Sequence, residues 1–277
     1  MCGIAGEIRF DGRRPVAGRS EAMVQKIKHR GPDGSGTWSD LQVSLSHQRL
    51  SIRGLGDEGH QPTISVDGNI VSVFNGEIYN YEKLKNELLR DYGVRLKGSC
   101  DSVLIANGYN AWGVDFFSML EGMFAIGIWD TKRKIFQLAR DGIGIKPVFY
   151  YYSKNQLLFG SEIKAIESVL KNKEALNLSA FHEFLTQGYV GNNKTMLVGV
   201  QQVPPGSFIT VSNSGKNMTQ FWKPKRYANG FTLDEAQAHF IDLFRSTCKN
   251  QLVSDVPVGL MLSGGIDSAL IAFSLKN

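Results

Sequence analysis

Eight short runs rich in β-branched and aromatic residues punctuate the first 222 positions of this 277-residue chain and make sheet its dominant element. They span residues 3–10, 43–52, 69–74, 123–130, 134–139, 148–152, 157–161 and 207–211. Runs of that length and composition suit a pleated, packed strand. Between them, Tyr81, Leu84, Leu88 and Tyr92, and again Val103, Ile105, Ala106 and Tyr109, recur near the helical period. Each set makes one apolar stripe that can cover a sheet face, so residues 1–222 are expected to form an α+β domain of sheets flanked by helices.

A second region follows. The polar stretch Lys223 to Gly230 reads as a linker, placed at 223–231, and a new domain is expected from 232 to 277. Thr232 and Glu235 make a capping-box pattern, and Leu233, Ala236, Phe240, Leu243 and Phe244 give the next helix its apolar stripe. Val256 to Leu262 is nearly all apolar, as expected of a parallel strand buried on both faces. It runs into Ser263-Gly264-Gly265-Ile266-Asp267-Ser268. A nucleotide-binding α/β domain needs more strands and helices than residues 232–277 supply, so only the start of one is expected here.

Composition narrows the functional classes. With 42% apolar and 21% charged residues the chain is not disordered. Three cysteines, far apart and odd in number, give no disulfide framework and no paired metal-ligand spacing, which suits a reducing compartment. No secretory signal is evident, and no apolar run approaches the roughly 18 residues that span a bilayer. The net charge of +5 is scattered, with only short clusters such as Lys26 to Arg30, better read as solvated faces than as a nucleic-acid footprint. A cytoplasmic protein that binds neither membrane nor nucleic acid is expected.

Two places carry chemistry. Cys2 follows the initiator methionine, so removing Met1 would give one residue both a thiol and a free α-amine. Their ordinary pKa values of about 8.5 and about 8 allow the amine to relay a proton as the thiol attacks a carbonyl. Taken alone, a cysteine here also reads as a small buried residue opening a strand. The second place is the Ser263 to Ser268 loop. A glycine-rich turn that opens a helix aims backbone N–H groups and the positive helix end at an anion, with Ser263 and Ser268 as added donors. It is neither a Walker A loop nor a GxGxxG fingerprint. It resembles the pyrophosphate loop of the ATP pyrophosphatase superfamily, in which Asp267 would help to hold Mg2+.

Together these features resemble the asparagine synthetase family, which joins a class II glutamine amidotransferase domain to an ATP-using domain. The matching blocks are CGIAG at 2–6, HRGPDGSG at 29–36, HQRLSI at 47–52, GHQP at 59–62, FNGEIYN at 74–80, ARDGIGIKPVFYY at 139–151, FGSEIKAI at 159–166, PPG at 204–206 and VPVGLMLSGGIDS at 256–268. The resemblance implies an N-terminal-nucleophile hydrolase αββα sandwich followed by the start of an α/β pyrophosphate-loop domain. It implies Cys2 as nucleophile, Asn75 and Gly76 as oxyanion donors, and Arg49, Glu77 and Asp101 as the residues that hold the glutamine head. Ser263, Gly264, Gly265, Asp267 and Ser268 would bind ATP. No metal is implied for the glutaminase half; ATP and Mg2+ serve the other. Implied partners are glutamine, ATP, an acidic acceptor with aspartate foremost, and the rest of the synthetase region, with a homodimer as one assembly.

Other readings stay open at this stage. Asn75-Gly76 is also a strong hairpin dipeptide. Asp101 also stands where it would cap the Val103 to Tyr109 helix. Arg49 also reads as a surface arginine on a strand. Segment 53–58, Arg-Gly-Leu-Gly-Asp-Glu, departs from the usual short acidic turn, and Gly142 replaces a commonly basic residue. Relatives that amidate a sugar acid, a stand-alone glutaminase and a noncatalytic module are the alternatives. His182-Glu183 lacks the second histidine of a metalloprotease motif and reads as helix surface.

Overall fold

Strands that are apolar on both sides need covering on both sides, and the chain meets this requirement with four layers. The computed structural model describes residues 1–96, 98, 100–154, 156–172, 174–191, 193–225 and 230–276. Its first elements are β1 (Gly3–Arg9), α1 (Arg19–Gln25), β2 (Gly34–Ser39), β3 (Val43–Arg49), β4 (Thr63–Ile64) and β5 (Ile70–Ile78). The helices α2 (Tyr81–Tyr92), α3 (Ser102–Trp112) and α4 (Phe116–Met119) follow. Then come β6 (Gly122–Asp130), β7 (Ile135–Arg140), β8 (Phe149–Ser153), β9 (Gln156–Gly160), α5 (Ile163–Glu167) and α6 (Leu178–Gln187). The unit closes with β10 (Val200–Gln202), β11 (Ser207–Ser212) and β12 (Gly215–Gln220).

These strands make two six-stranded antiparallel sheets, ordered β10-β8-β9-β1-β3-β2 and β12-β11-β7-β6-β5-β4. Alternation assigns each side chain to a layer. From β1, Ile4 and Ile8 enter the core between the sheets, where they meet Val71 and Val73 of β5 and Trp129 of β6. Ala5, one step out of phase, faces the opposite way and packs under Met23 and Val24 of α1 and Ala165 of α5. On the second sheet, Ile70, Phe74 and Ile78 of β5 turn outward onto Leu84 and Leu88 of α2 and Leu104 and Ile105 of α3. The result is the α+β, αββα sandwich expected of the sequence.

The expected strands occur within a few residues of their predicted limits, with instructive differences. β3 ends at Arg49 rather than continuing to residue 52, because the chain turns there into a loop through residues 50–59. β5 continues to Ile78, so Asn75 and Gly76 lie inside a strand, opposite Ala125 and Phe124 of β6. The hairpin reading of that dipeptide is therefore wrong.

The chain divides into two compact units, Met1–Lys223 and Pro224–Asn277. Much of the predicted linker, at 226–229, lies outside the described residues. In the second unit α7 (Leu233–Asn250) opens with a complete capping box: Thr232 accepts from the Glu235 N–H, and the Glu235 side chain answers the Thr232 N–H. The expected strand at 256–262 is not formed, and Val258, Leu260, Met261 and Leu262 are exposed. A strand exists by pairing, and among the described residues of this unit there are helices but no partner strand. No described helix is long and apolar enough to cross a membrane.

Candidate functional site

Period-two alternation also carries the chemistry to one place. The inward-facing row of β1 holds Ile4 and Ile8, that of β3 Val43 and Leu45, and that of β5 Val71 and Val73. Continued by twos, the rows reach Cys2, then His47 and Arg49, then Asn75 and Glu77. Within the first sheet Ile4 stands opposite His47 and Gly3 opposite Gln48, which brings Cys2 beside Arg49. Cys2, Arg49, Gly76, Glu77 and Asp101 line one small pocket of about 30 Å³. Asn75 is packed at its edge, 1% exposed. A larger cleft of about 440 Å³, lined by Arg9, Arg13, Arg14 and Arg19 among others, contains none of the predicted site residues.

The nucleophile is held by backbone. Cys2 Sγ lies 3.4 Å from the Leu50 N–H and 3.6 Å from the Leu50 carbonyl. Arg30 Nε donates to the Cys2 carbonyl at 3.0 Å and its Nη1 pairs with Glu162 at 3.1 Å, which fixes the start of β1. Burial pushes the Cys2 thiol above its ordinary pKa, so it needs a base in order to attack. The terminal amine, here that of Met1, is pushed down, chiefly by burial and with help from the Arg30 and Lys146 charges. An amine in these surroundings is a better proton acceptor near neutrality than one in water.

Oxyanion donors follow from the strand phase of β5. The Phe74 N–H is met by Gln61 Oε1 at 2.6 Å and the Ile78 N–H by Asp101 Oδ2 at 3.0 Å, so even-numbered residues aim their N–H groups away from β6. Gly76 lies between them in the same phase and lines the cavity. Only glycine fits there, because a Cβ would stand 2.1 Å from the Met123 carbonyl oxygen. Asn75 Nδ2 is buried without a hydrogen-bond partner. An orphaned buried donor costs about 1–3 kcal/mol unless something binds it, and beside a nucleophile its use is to meet developing negative charge.

The opposite wall is acidic. Asp101 is buried and Glu77 half-buried beside it, and both carboxyls are pushed above the usual carboxylate range, first by loss of solvent. Their mutual repulsion pushes Glu77 further, and Glu77 Oε2 has no hydrogen-bond partner. Asp101 immediately precedes α3, yet its side chain makes no capping bond. It bonds instead to Ile78 and lies 3.8 Å from Arg53. Such a wall is built for a cation. It also costs stability: a carboxyl whose folded pKa is raised contributes fully below its unfolded value of about 4 and loses that contribution as pH rises through the folded value. Glu77→Gln is therefore expected to raise the melting temperature at pH 8 relative to the parent but not at pH 4, while weakening the site. Melting curves across that range check it, and equal shifts at both pH values would refute it.

Arg49 is engaged by the loop that follows it, donating to the Gly56 carbonyl at 2.9 Å and to the Gly54 carbonyl. His47, in the row between Leu45 and Arg49, is 1% exposed and its pKa is lowered to about 3, mainly by burial, so it stays neutral. The sequence reading missed Arg53, Lys146 and Cys100. Their only sequence signals are that Arg53 opens the departing 53–58 segment, that Lys146 lies in the ARDGIGIKPVFYY block, and that Cys100 adjoins Asp101.

In the second unit, Ser263 to Gly265 lead into α8 (Ile266–Leu275). Ser263 Oγ and Ser268 Oγ lie 3.1 Å apart, and the helix start has no side-chain cap, which leaves its first N–H groups to an external acceptor. Asp267 stands in the first turn. Among the described residues no cluster of three or more metal-ligating side chains is present.

Comparisons with known proteins give the family and the fold. Residues 1–222 match the glutamine amidotransferase domain family, and residues 239–277 match the asparagine synthase family. Asparagine synthetase (glutamine-hydrolyzing) 3 of Bacillus subtilis is 33% identical over 275 residues, covering 98% of this chain and 44% of that protein. A putative asparagine synthetase of Methanocaldococcus jannaschii is 30% identical over 98% of this chain and 56% of its own length. An amidase of Gibberella zeae, chry2, is 32% identical over 98% of this chain and 42% of its own. The chain thus spans about half the length of these relatives. In fold, the first unit resembles the glutamine phosphoribosylpyrophosphate amidotransferase of Bacillus subtilis, with a TM-score of 0.58 at 18% identity over 80% of this chain and 50% of that one.

Proposed function

Because the chain belongs to the glutamine amidotransferase family, with the beginning of an asparagine synthase domain behind it, we propose that it hydrolyses glutamine at Cys2 and supplies the ammonia to an ATP-dependent amidation. The observation that carries this reading is the convergence of Cys2, Arg49, Gly76, Glu77 and Asp101 on one cavity, with the unpartnered Asn75 amide at its edge.

The steps follow from the geometry. Once Met1 is removed, the Cys2 amine accepts the thiol proton and Sγ attacks the glutamine carboxamide carbon. Asn75 Nδ2 and the Gly76 N–H receive the resulting oxyanion. The tetrahedral species collapses, the amine returns the proton to the leaving nitrogen, and ammonia departs to leave a thioester. Water then cleaves the thioester to glutamate and restores the thiol. Arg49 suits the substrate carboxylate and the Glu77–Asp101 wall its ammonium.

In the second unit the open helix start and the paired serines suit the phosphates of ATP, and Asp267 suits Mg2+. ATP with Mg2+ would activate a carboxylic acid as its adenylate, which ammonia converts to an amide. Two of the relatives above are named asparagine synthetases, which makes aspartate the first acceptor; another carboxylate, such as a sugar acid, is the second reading.

Incubating the protein with glutamine, ATP, Mg2+ and aspartate, and following glutamate, pyrophosphate and asparagine separately, tests both halves. Glutamate release is expected from the first unit alone. The described part of the second unit contains no sheet, so pyrophosphate release is expected only with a complete synthetase region. No glutamate under any condition would refute the reading, as would undiminished hydrolysis by Cys2→Ala. Arg49→Ala is expected to raise KM for glutamine roughly ten- to a hundredfold, the value of a lost charge-assisted contact, with a smaller change in kcat. Steady-state kinetics with glutamine as the varied substrate read it, and an unaltered KM would assign Arg49 to the loop alone.

A further inference from the structure

We infer that Arg53 is a positioning residue of the glutamine pocket: its guanidinium biases the Asp101 and Glu77 carboxyls toward the charged form that receives the substrate's α-ammonium, and so extends glutamine binding to lower pH. This rests on the glutamine reading above and adds a residue that the motif did not supply.

Arg53 lies in the loop that follows β3, and its side chain is 9% exposed. Its Nη1 is 3.8 Å from Asp101 Oδ2 and 3.4 Å from the Ile78 carbonyl, which it meets as donor. Its Cζ stands 5.3 Å from the centroid of the Tyr81 ring, a second hold on a buried cation. It lines the same cavity as Cys2, Glu77 and Asp101.

The charges explain why a cation is needed there. Two carboxyls side by side, one buried and one half-buried, do not both ionise without compensation, and a half-protonated pair is a poor receptor for an ammonium group. The groups facing them are Arg53 from the 50–59 loop, Lys146 and Asp141 from the segment between β7 and β8, Tyr79 and Tyr81 beyond β5, Cys100 beside Asp101, and Cys2. Lys146 favours the charged form of Glu77, but its own ammonium is weakened by burial. Arg49 already serves the Gly54 and Gly56 carbonyls. Arg53 acts on both carboxyls and heads the influences that favour the charged form of Asp101. At 3.8 Å it lends charge to Asp101 Oδ2 without the close hydrogen bond that would claim the oxygen's lone pair.

The test is the pH dependence of KM for glutamine, from about pH 5.5 to about pH 9, in the parent, Arg53→Lys and Arg53→Met proteins. Arg53→Met is expected to raise KM about tenfold near pH 6.5, the effect of moving the carboxyl ionisation up by roughly one unit. The excess should shrink steadily as pH rises, fall on KM more than on kcat, and be largely reversed in Arg53→Lys. An excess that is absent, or equal at every pH, overturns the proposal, because a merely structural role has no such pH signature. A parallel titration without glutamine, by isotope-edited NMR of the Asp and Glu carboxyl carbons, should show the Glu77 and Asp101 midpoints displaced upward in Arg53→Met. Unmoved midpoints overturn it too. Should the parent protein turn over no glutamine, the proposed function fails while this titration still decides what Arg53 does to the pair. Arg53→Gln, which keeps size and polarity, carries the same measurements if Arg53→Met does not fold.

Discussion

Replacing Cys2 with alanine is expected to reduce glutamine hydrolysis about 10,000-fold or more, because groups that act as one nucleophilic unit fail together when the nucleophile goes. Stability should change little, since Cys2 is only partly buried and its contacts are weak sulfur contacts to the Leu50 backbone. Active protein should lack Met1 by mass, because a peptide bond at the Cys2 nitrogen removes the proton relay. An electrophilic glutamine analogue should label Cys2 and not Cys100, whose thiol is buried, raised in pKa and bonded to Ser102. Mass spectrometry of the labelled peptides decides between them. Turnover by protein that retains Met1, or labelling of Cys100 at the same rate, would overturn the assignment.

Asn75→Ala is expected to lower kcat by about 100- to 1,000-fold with little change in KM, since an oxyanion donor worth roughly 3 kcal/mol acts on the transition state and not on bound glutamine. The Nδ2 donor has no partner in the resting site, so no ground-state contact is lost with it. The substitution should leave melting temperature unchanged or slightly higher, because it removes a buried, unsatisfied amide. Steady-state kinetics and a melting curve on the same preparation check both halves. A large rise in KM with unchanged kcat would place Asn75 in substrate binding instead.

Much of the fold was legible because its signals are local. Tyr81, Leu84 and Leu88 repeat at the helical period and do pack as one helix face on the second sheet. Val71 and Val73 alternate with Phe74 and Ile78 because the strand is buried on both faces, which reads in sequence as a continuous apolar run. The run at 256–262 has the same look but no described strand beside it, and periodicity cannot report whether a partner is there. Thr232 and Glu235 were readable for the opposite reason, since a capping box closes within one turn of chain.

The site divides along the same line. The sequence by itself determined the nucleophile candidate, the glutamine amidotransferase resemblance and the residues named for it, because these rest on residue identity in order along the chain. Only the tertiary structure decided between the two readings of Asn75-Gly76, since a hairpin dipeptide and a strand interior differ in whether β6 runs alongside. It alone decided between the two readings of Asp101, helix cap and wall of the pocket, and set Arg53 beside it from a loop some fifty residues earlier in the chain. Charge balance is a property of distances through space. A chain order records which charges exist, and packing decides which of them must share a buried volume.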